Sequence, residues 1–523
     1  MVEAGKTDGG GILTMPETQS NRPRPGFQGS ETSRAEVRIY AQGGDPVLAA
    51  SEGTQSLSGR YRTDPTHTLI SVTTSKALEG TGTWQAVVKP SRAGTDSLLD
   101  QIVDDDWVDI VFYRHGRQWH TMRGLVDDVR RSRTVGGSGA TAWTYTISGR
   151  DFQKVFEVTP IWFNRFSRKV ENLVGEISTK IFSGIPNLGG DPLMIVQGFL
   201  LGFFRELQGY GRANWVIPNS VPNTQGTFYD DIVAGWSLQG FSGVPARKGI
   251  DPNFGNPQGN LWQLAKDWAD PAFLELFCDL GKGGELLEAN EELSLDESTI
   301  TVFFRDKPFV LSPNLVDDQG RPPATALGLG QQSAWFSLPL HVVPRQQLVQ
   351  DDVGRSGAER INAFFVSPQV TMELVKSGQL DLSQPLWNAD DINKHGLRRY
   401  DISTRYVPDT GTLIGLSTLQ RSMIRDWYAL NPYFLSGTMS LAIGRPDIHI
   451  GTRVRIPGDN GETSQDETYY VEQVSHSWTF GPGLRTQLGV TRGWIGDDTS
   501  LLQAVLDQEA LYSVPSAGQP GGD

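Results

Sequence analysis

At 523 residues the chain exceeds what one hydrophobic core can organise, and its length predicts roughly three or four domains. Its net charge of -14, from 46 basic and 60 acidic side chains, excludes a scaffold held to nucleic acid by phosphate neutralisation. The 59 Gly and 30 Pro exclude a helical bundle and predict many turns and much β structure.

Residues 1–34 carry Asp8-Gly9-Gly10-Gly11, Pro23 and Pro25 without hydrophobic period, and are read as a flexible arm. They are polar and Gly-rich, unlike a signal peptide. Strands are expected from Ala35, where Val37 and Tyr40 open a run, and then over 68–74, 83–88, 107–113, 118–131 and 142–148. In 107–113, Val108, Ile110 and Phe112 alternate with Trp107, Asp109, Val111 and Tyr113, so both faces carry bulk. A short helix is expected over 97–103. Strands this close, with turns between them, predict a small β-barrel or sandwich over 35–150.

At Gly149-Arg150-Asp151 the periodicity switches. Phe152, Val155 and Phe156 fit helical spacing, as do Val170, Leu173, Val174, Ile177 and Ile181, so a helical module is expected over 151–297. The apolar core of the window 192–207 is too short for a membrane-spanning helix, which needs roughly 20 apolar residues. A Gly/Pro/Asn-rich excursion at 209–260 is read as an insertion or partner-facing loop. Residues 260–280 are expected to be helical, with a break or new start at Pro271.

Strands are expected at 298–304, 338–343 and 363–367, opening a second β unit over 298–495. A helix at 413–431 interrupts it, with Leu416, Leu419, Gln420, Met423 and Trp427 along one side. Strands return at 436–443 and 452–457. The hairpin 469–493 closes the unit: two runs of period two flank Phe480-Gly481-Pro482-Gly483. Residues 496–523 are read as an amphipathic helix and a loose tail. The two β units are comparable in build but share no sequence similarity visible on inspection, and no short repeat is present.

The search for chemistry returns no catalytic, cofactor-binding or metal-binding residues. His115 and His120 straddle a turn, and Asp447 and His449 lack a third ligand nearby. Gly235-Trp236-Ser237-Leu238-Gln239 lacks the second glycine of a nucleophile elbow, and Gly328-Leu329-Gly330 has no following helix to cradle a phosphate. Asp104-Asp105-Asp106 is read as a solvated acid cluster, and Cys278 as a buried small hydrophobe. No disulfide is possible within one chain that has a single cysteine, which fits assembly in a reducing cytoplasm.

Four patterns, taken in order, resemble the baseplate (tail) hub proteins of contractile-tailed bacteriophages, related to the hub part of type VI secretion spike proteins. The first is Tyr145-Thr-Ile-Ser-Gly-Arg-Asp151 leading into a helix. The second joins Pro271-Ala-Phe-Leu-Glu-Leu-Phe-Cys-Asp279 to Thr301-Val-Phe-Phe-Arg-Asp-Lys-Pro-Phe309. The third is Asp351-Asp-Val-Gly-Arg-Ser356 leading to Asn362-Ala-Phe-Phe-Val366, and the fourth is the hairpin around Tyr470-Val-Glu-Gln-Val-Ser-His-Ser-Trp478. Together they span residues 35–493. Each alone is also an ordinary strand end or turn; their joint order carries the resemblance.

The resemblance implies an α+β, mainly β fold with two tube-like antiparallel β-barrels separated by the helical module. It implies a homotrimer whose six barrels form a ring of pseudo-sixfold symmetry between a hexameric tail tube and a trimeric central spike. Baseplate wedge proteins and the tape measure protein are further implied partners. DNA would pass through the lumen without specific binding, no membrane would be contacted, and no cofactor would be held. The location implied is the virion tail baseplate, assembled in the host cytoplasm. The long β-needle of the type VI spikes is missing here, so a separate spike protein is implied. Two other classes remain in view: a tail-associated cell-wall or polysaccharide hydrolase, whose carboxylates would meet only in the fold, and a receptor-binding protein, against which the lack of repeats speaks.

Overall fold

A computed structural model describes residues 33–40, 46–51, 67–90, 101–114, 117–135, 141–159, 236–240, 247–249, 259–281, 286–288, 299–310, 335–368, 385–404, 406–408, 413–459 and 464–513, with Val196 and Leu200. Outside these residues lie the arm up to Thr32, most of the helix expected at 97–103, the apolar periodicity from Val170 to Ile181, nearly all of the window 192–207, His115, Gly235, Gly328-Leu329-Gly330, most of the 209–260 excursion, and residues 514–523.

The first β unit comprises β1 (Arg34–Tyr40), β2 (Pro46–Ser51), β3 (His67–Ala77), β4 (Thr83–Pro90), β5 (Trp107–Arg114), β6 (Arg117–Val135) and β7 (Thr141–Asp151). They pair in the order β3-β2-β1-β5-β6-β7-β4, and a further β3–β4 pairing closes the path into a barrel. Alternation drives this. Val37 and Ile39, Val108, Ile110 and Phe112, and Ala86 and Val88 point into one buried cluster with Leu69, Val72 and Ile147. The bulk on both faces of β5 is accounted for: Asp109 and Val111, on the opposite face, are buried as well. β2 was not anticipated.

A short helix α1 (Lys154–Val158) follows, then β8 (Trp236–Gly240), β9 (Arg247–Gly249), α2 (Leu261–Trp268), β10 (Leu274–Gly281) and β11 (Thr299–Asp306). Helix α2 starts where the Asn260 side chain accepts a hydrogen bond from the Gln263 amide. Residues 260–280 are therefore not helical throughout. Asp270 adopts φ 51° and Pro271 follows it, which stops the helix. Leu274 to Leu280 then run extended, antiparallel to β11, with Leu276 and Cys278 in a core shared with α1 and α2.

Next come β12 (Leu340–Val342), β13 (Leu348–Gly354), β14 (Ala363–Pro368), β15 (Leu386–Trp387), α3 (Ala389–His395), β16 (Arg399–Thr404), β17 (Tyr406–Pro408) and α4 (Leu413–Tyr428). The chain ends in β18 (Leu435–Leu441), β19 (Arg453–Ile456), the hairpin β20 (Glu467–Thr479) and β21 (Gly483–Ile495), and α5 (Asp498–Leu511). Strands β13-β18-β21-β20, with β19 on β20 and β12 on β19, wrap a second core of Met439, Leu441, Val454, Tyr469, Val471 and Leu488. β11 pairs with β10 and β8, and β14 with β15 and β16, so both expected strands stand in small sheets of their own. On α4, Gln420, Met423 and Trp427 are buried.

The fold is α+β and mainly β, with thirteen strands in one sheet. Among the described residues no helix is long and apolar enough to cross a membrane.

Candidate functional site

The place where the two β units meet is built by β20. Its first residues, Glu467 to Tyr470, pair with β19 inside the second unit. Along the same edge its remaining length pairs antiparallel with β3 of the first unit, from Gln473 opposite Ala77 to Thr479 opposite Ser71, while β21 runs along its other edge. The ladder is extended at both ends by Leu78 N to Glu472 O at 3.0 Å and Phe480 N to Ile70 O at 2.9 Å. Period-two alternation turns Val474, His476 and Trp478 inward. Trp478 enters the core of the first barrel with Leu484, and its Nε1 donates to the Ser33 carbonyl at 2.9 Å. The Ser33 hydroxyl accepts from the Leu484 amide at 2.7 Å.

Buried charge sits along this seam. Lys76 of β3 pairs with Asp279 of β10, whose other oxygen meets His449 Nδ1 at 3.2 Å. Burial alone would raise the Asp279 carboxyl; the Lys76 ammonium and His449 outweigh it and hold the group well below the usual carboxylate range. His476 is pushed down to about 3 by burial, with His449 adding to the shift. Its Nδ1 lies 2.9 Å from the Thr486 hydroxyl. Nearby, Arg445 grips Asp447 through Nε at 2.8 Å and Nη2 at 2.7 Å, while His341 stands 3.6 Å and Arg114 of β5 3.8 Å from the same carboxylate. Asp447 is likewise held low against the opposing effect of burial. Such pairs resist separation, because removing one partner strands a charge out of water.

Two further joints lie beside the seam, one inside the first β unit and one to the sheet of β10 and β11. At the Gly-Arg-Asp corner, a Cβ on Gly149 would stand 2.0 Å from the Leu125 carbonyl, so only glycine allows β6 and β7 to close there. Arg150 forks onto Asp127 at 2.8 and 3.1 Å. Asp151 accepts the Gly82 and Gln153 amides at 2.9 and 3.1 Å, and burial pushes its carboxyl up to about 7. At the second joint, Arg305 of β11 reaches Glu275 at 3.0 Å, Tyr470 Oη at 3.0 Å and the Gly451 carbonyl at 2.9 Å. Gly451 has φ +72°, and a Cβ there would meet Arg305 Nη2 at 2.6 Å and Phe277 Cζ at 3.0 Å. Gly451→Ala is expected to cost about 2–4 kcal/mol, combining left-handed strain with overpacking, read as a lowered denaturant midpoint.

A carboxyl near 7 beside one held low would suit acid–base chemistry. Here both are closed in, and the oxygens of Asp151 and Asp279 are committed to the structural partners named. Burial likewise pushes the Cys278 thiol well above its ordinary value, which leaves it an inert core residue. His120 is buried against Asp109, at 3.2 Å, far from solvent. The solvated reading of the acid cluster is corrected at one position. Asp104 is exposed, but Asp106 is fully buried and accepts the Val103 amide at 2.9 Å, and Asp105 pairs with Lys154. Among the described residues no group of three His, Cys, Asp or Glu is placed to hold a metal ion. Lys76 and His341 carried no signal in the sequence, and Arg305 entered only within a motif, because their partners lie on distant strands. A cavity of about 820 Å³, lined by Glu275, Trp427 and Arg492 among others, opens between α4, β10 and the β20–β21 hairpin.

No protein-family model and no curated protein matches the chain. Among solved structures, a tail protein from Neisseria meningitidis aligns over 88% of this chain and 96% of its own, at 12% identity and TM-score 0.43. A tail protein of prophage MuSo2 from Shewanella oneidensis aligns over 88% and 98%, at 11% identity and TM-score 0.42. An E. coli component of the type VI secretion system aligns over 82% and 73%, at 8% identity and TM-score 0.38. All three are tail or secretion-apparatus proteins, the class that the sequence motifs resemble.

Proposed function

We propose that the chain is the structural hub of a phage tail baseplate, without catalytic activity. Three copies form a ring that adapts the hexameric tail tube to the trimeric central spike and anchors surrounding wedge proteins. The observation that carries this reading is the β3–β20 seam, whose backbone ladder fuses two barrel-like units into one continuous sheet, with a buried ion pair from β3 to β10 beside it. A chain with two such units offers a sixfold partner six similar faces from three copies. The net charge of -14 suits a lumen through which DNA slides without sticking. The arm 1–34 and the 209–260 excursion are assigned to contacts with wedge or spike proteins, and the tape measure protein to the tube side of the ring. The particle is the virion tail, put together in the host cytoplasm.

The decisive measurement is the mass of the purified protein in solution. Three times the 57.5 kDa of one chain is expected, and a stable monomer contradicts the hub. Zymography on cell-wall and polysaccharide substrates separates the alternative hydrolase: the hub leaves the gel opaque, and clearing overturns it.

A further inference from the structure

The hairpin of β20 and β21 breaks register twice in quick succession, once on each strand. Thr468 faces Trp494 and Tyr470 faces Thr491, so Arg492 and Gly493 together oppose Tyr469. Val471 faces Val490 and Gln473 faces Gly489, so Glu472 has no residue opposite it. A bulge of this kind takes its extra residue out of the ladder and re-aims the side chain. Both extra side chains reach the wall of one cavity, the space of about 820 Å³ between α4, β10 and this hairpin.

Arg492 is held there against its backbone preference. Its φ of 52° is left-handed, a conformation that non-glycine residues seldom adopt and that persists where the surroundings enforce it. The guanidinium carbon lies 3.3 Å from the centre of the Trp427 ring, with the Phe434 and Tyr428 rings at 5.6 and 5.7 Å. Nη1 donates to the Trp427 carbonyl at 2.6 Å. Among the described residues Nε finds no hydrogen-bond partner, and no carboxylate closes on the guanidinium as an ion pair. Burial brings the group down to about 10 although Tyr428 and Glu472 pull the other way, so its charge is only partly compensated. Glu472 is the counterpart. It opens onto the cavity, accepts from the Thr491 hydroxyl at 2.8 Å, and forms no ion pair among the described residues. Burial raises its carboxyl against the influence of Thr491 and Arg492. A joint that only braced the hairpin would close such charges on each other, as Glu275 of the same wall closes on Arg305 at 3.0 Å.

We propose that this cavity binds a small ligand carrying an oxyanion with a hydrogen-bond donor beside it, the oxyanion taken by Arg492 and the donor by Glu472. The volume suits a metabolite-sized molecule, since pockets for small ligands run from about 300 to 1,000 Å³. Elsewhere on the wall the cations Lys307 and Arg398 and the acids Glu79 and Glu359 have no ion pair among the described residues. A lining of both signs matches a ligand with acceptors and donors better than it matches a bare anion. The stacked guanidinium is already oriented, so binding orders little that was free. No bond of the ligand is broken there; the site binds and does not react. It lies within one chain and is independent of how many copies assemble.

Calorimetric titration of the full-length chain with glycerol 3-phosphate tests this. Inorganic phosphate is the second probe, which keeps the oxyanion and lacks the carbon-borne hydroxyls. One glycerol 3-phosphate per chain is expected, with a dissociation constant on the order of 0.1–1 mM and phosphate about tenfold weaker. Arg492→Gln is expected to weaken both probes about tenfold. Glu472→Gln is expected to bring the two within about twofold of each other, a loss of selectivity that partial unfolding does not produce. Where Arg492→Gln lowers the melting temperature along with binding, the ratio in Glu472→Gln decides. No heat from either probe up to about 20 mM overturns the site. Binding that neither substitution changes puts the anion elsewhere and overturns it as well. A ratio that Glu472→Gln leaves unchanged overturns the role of the donor and, with it, the ligand class.

Discussion

In Trp478→Ala, the amides of β3 are expected to exchange with solvent about two to three orders of magnitude faster than in the wild type. Trp478 is 1% exposed and belongs to the core of a barrel to which its own strand does not otherwise belong. Truncation removes about 3–5 kcal/mol by opening a cavity that the surrounding barrel closes only in part. It also leaves the Ser33 carbonyl without its indole donor. The loss falls on the opening of the seam rather than on each unit, because Val72, Val108 and Phe112 keep the first barrel cored without it. Hydrogen exchange read by mass spectrometry on peptides covering residues 69–77 checks this, with a peptide covering β18 as the internal reference. Acceleration below tenfold in the β3 peptide, or equal acceleration in both, contradicts a seam that depends on this side chain. Trp478→Phe, which keeps most of the volume and loses the hydrogen bond, is expected to fall between the two.

Lys76→Met is expected to cost about 3–5 kcal/mol at neutral pH, because it keeps the volume of the stem and strands the Asp279 carboxylate in the interior. Lys76 and Asp279 are 203 residues apart and join β3 to β10. The pH dependence distinguishes a lost charge from lost packing. In the wild type the folded value of Asp279 lies below the ordinary 3.8, so its contribution is present above that value and is lost as pH falls through the folded value. Without Lys76, burial, the largest influence on Asp279, dominates and raises the group, so the variant gains relief on acidification. The gap between wild type and Lys76→Met is expected to narrow as pH falls from 7, first as the variant's raised carboxyl takes up its proton above 3.8 and further below 3.8 as the wild type loses its own contribution, read in denaturant midpoints. A gap independent of pH would mean that packing alone was lost. His476 acts in a separate window. Its folded value of about 3 lies below the ordinary 6.5, so wild-type stability is full above 6.5 and declines as pH falls toward 3.

The hairpin of β20 and β21 was legible because its signals are local: period-two alternation on either side of a Gly-Pro-Gly turn. The strands from β3 to β7 were legible for the same reason, with starts within one residue and ends one to four residues short. β10 was not. Phe273, Leu276, Phe277 and Leu280 recur at helical spacing and Leu274, Leu276, Cys278 and Leu280 at an extended one, and only β11 alongside decides between them. Asp106 looked solvated because it follows two acids, yet it turns inward while Asp104 does not. Lys76 and Asp279 were unreadable as a pair, since nothing within either strand marks the other.

By itself, the sequence determined which segments alternate, where they turn, and that the chain builds β units around helices, because those properties depend on neighbours within a few residues. The four ordered motifs added the class of protein it resembles. Tertiary structure alone decided that β20 divides one edge between β19 and β3 while β21 runs along the other. Alternation specifies which face of a strand is buried, while the choice of partner strand rests on backbone groups that every residue carries alike.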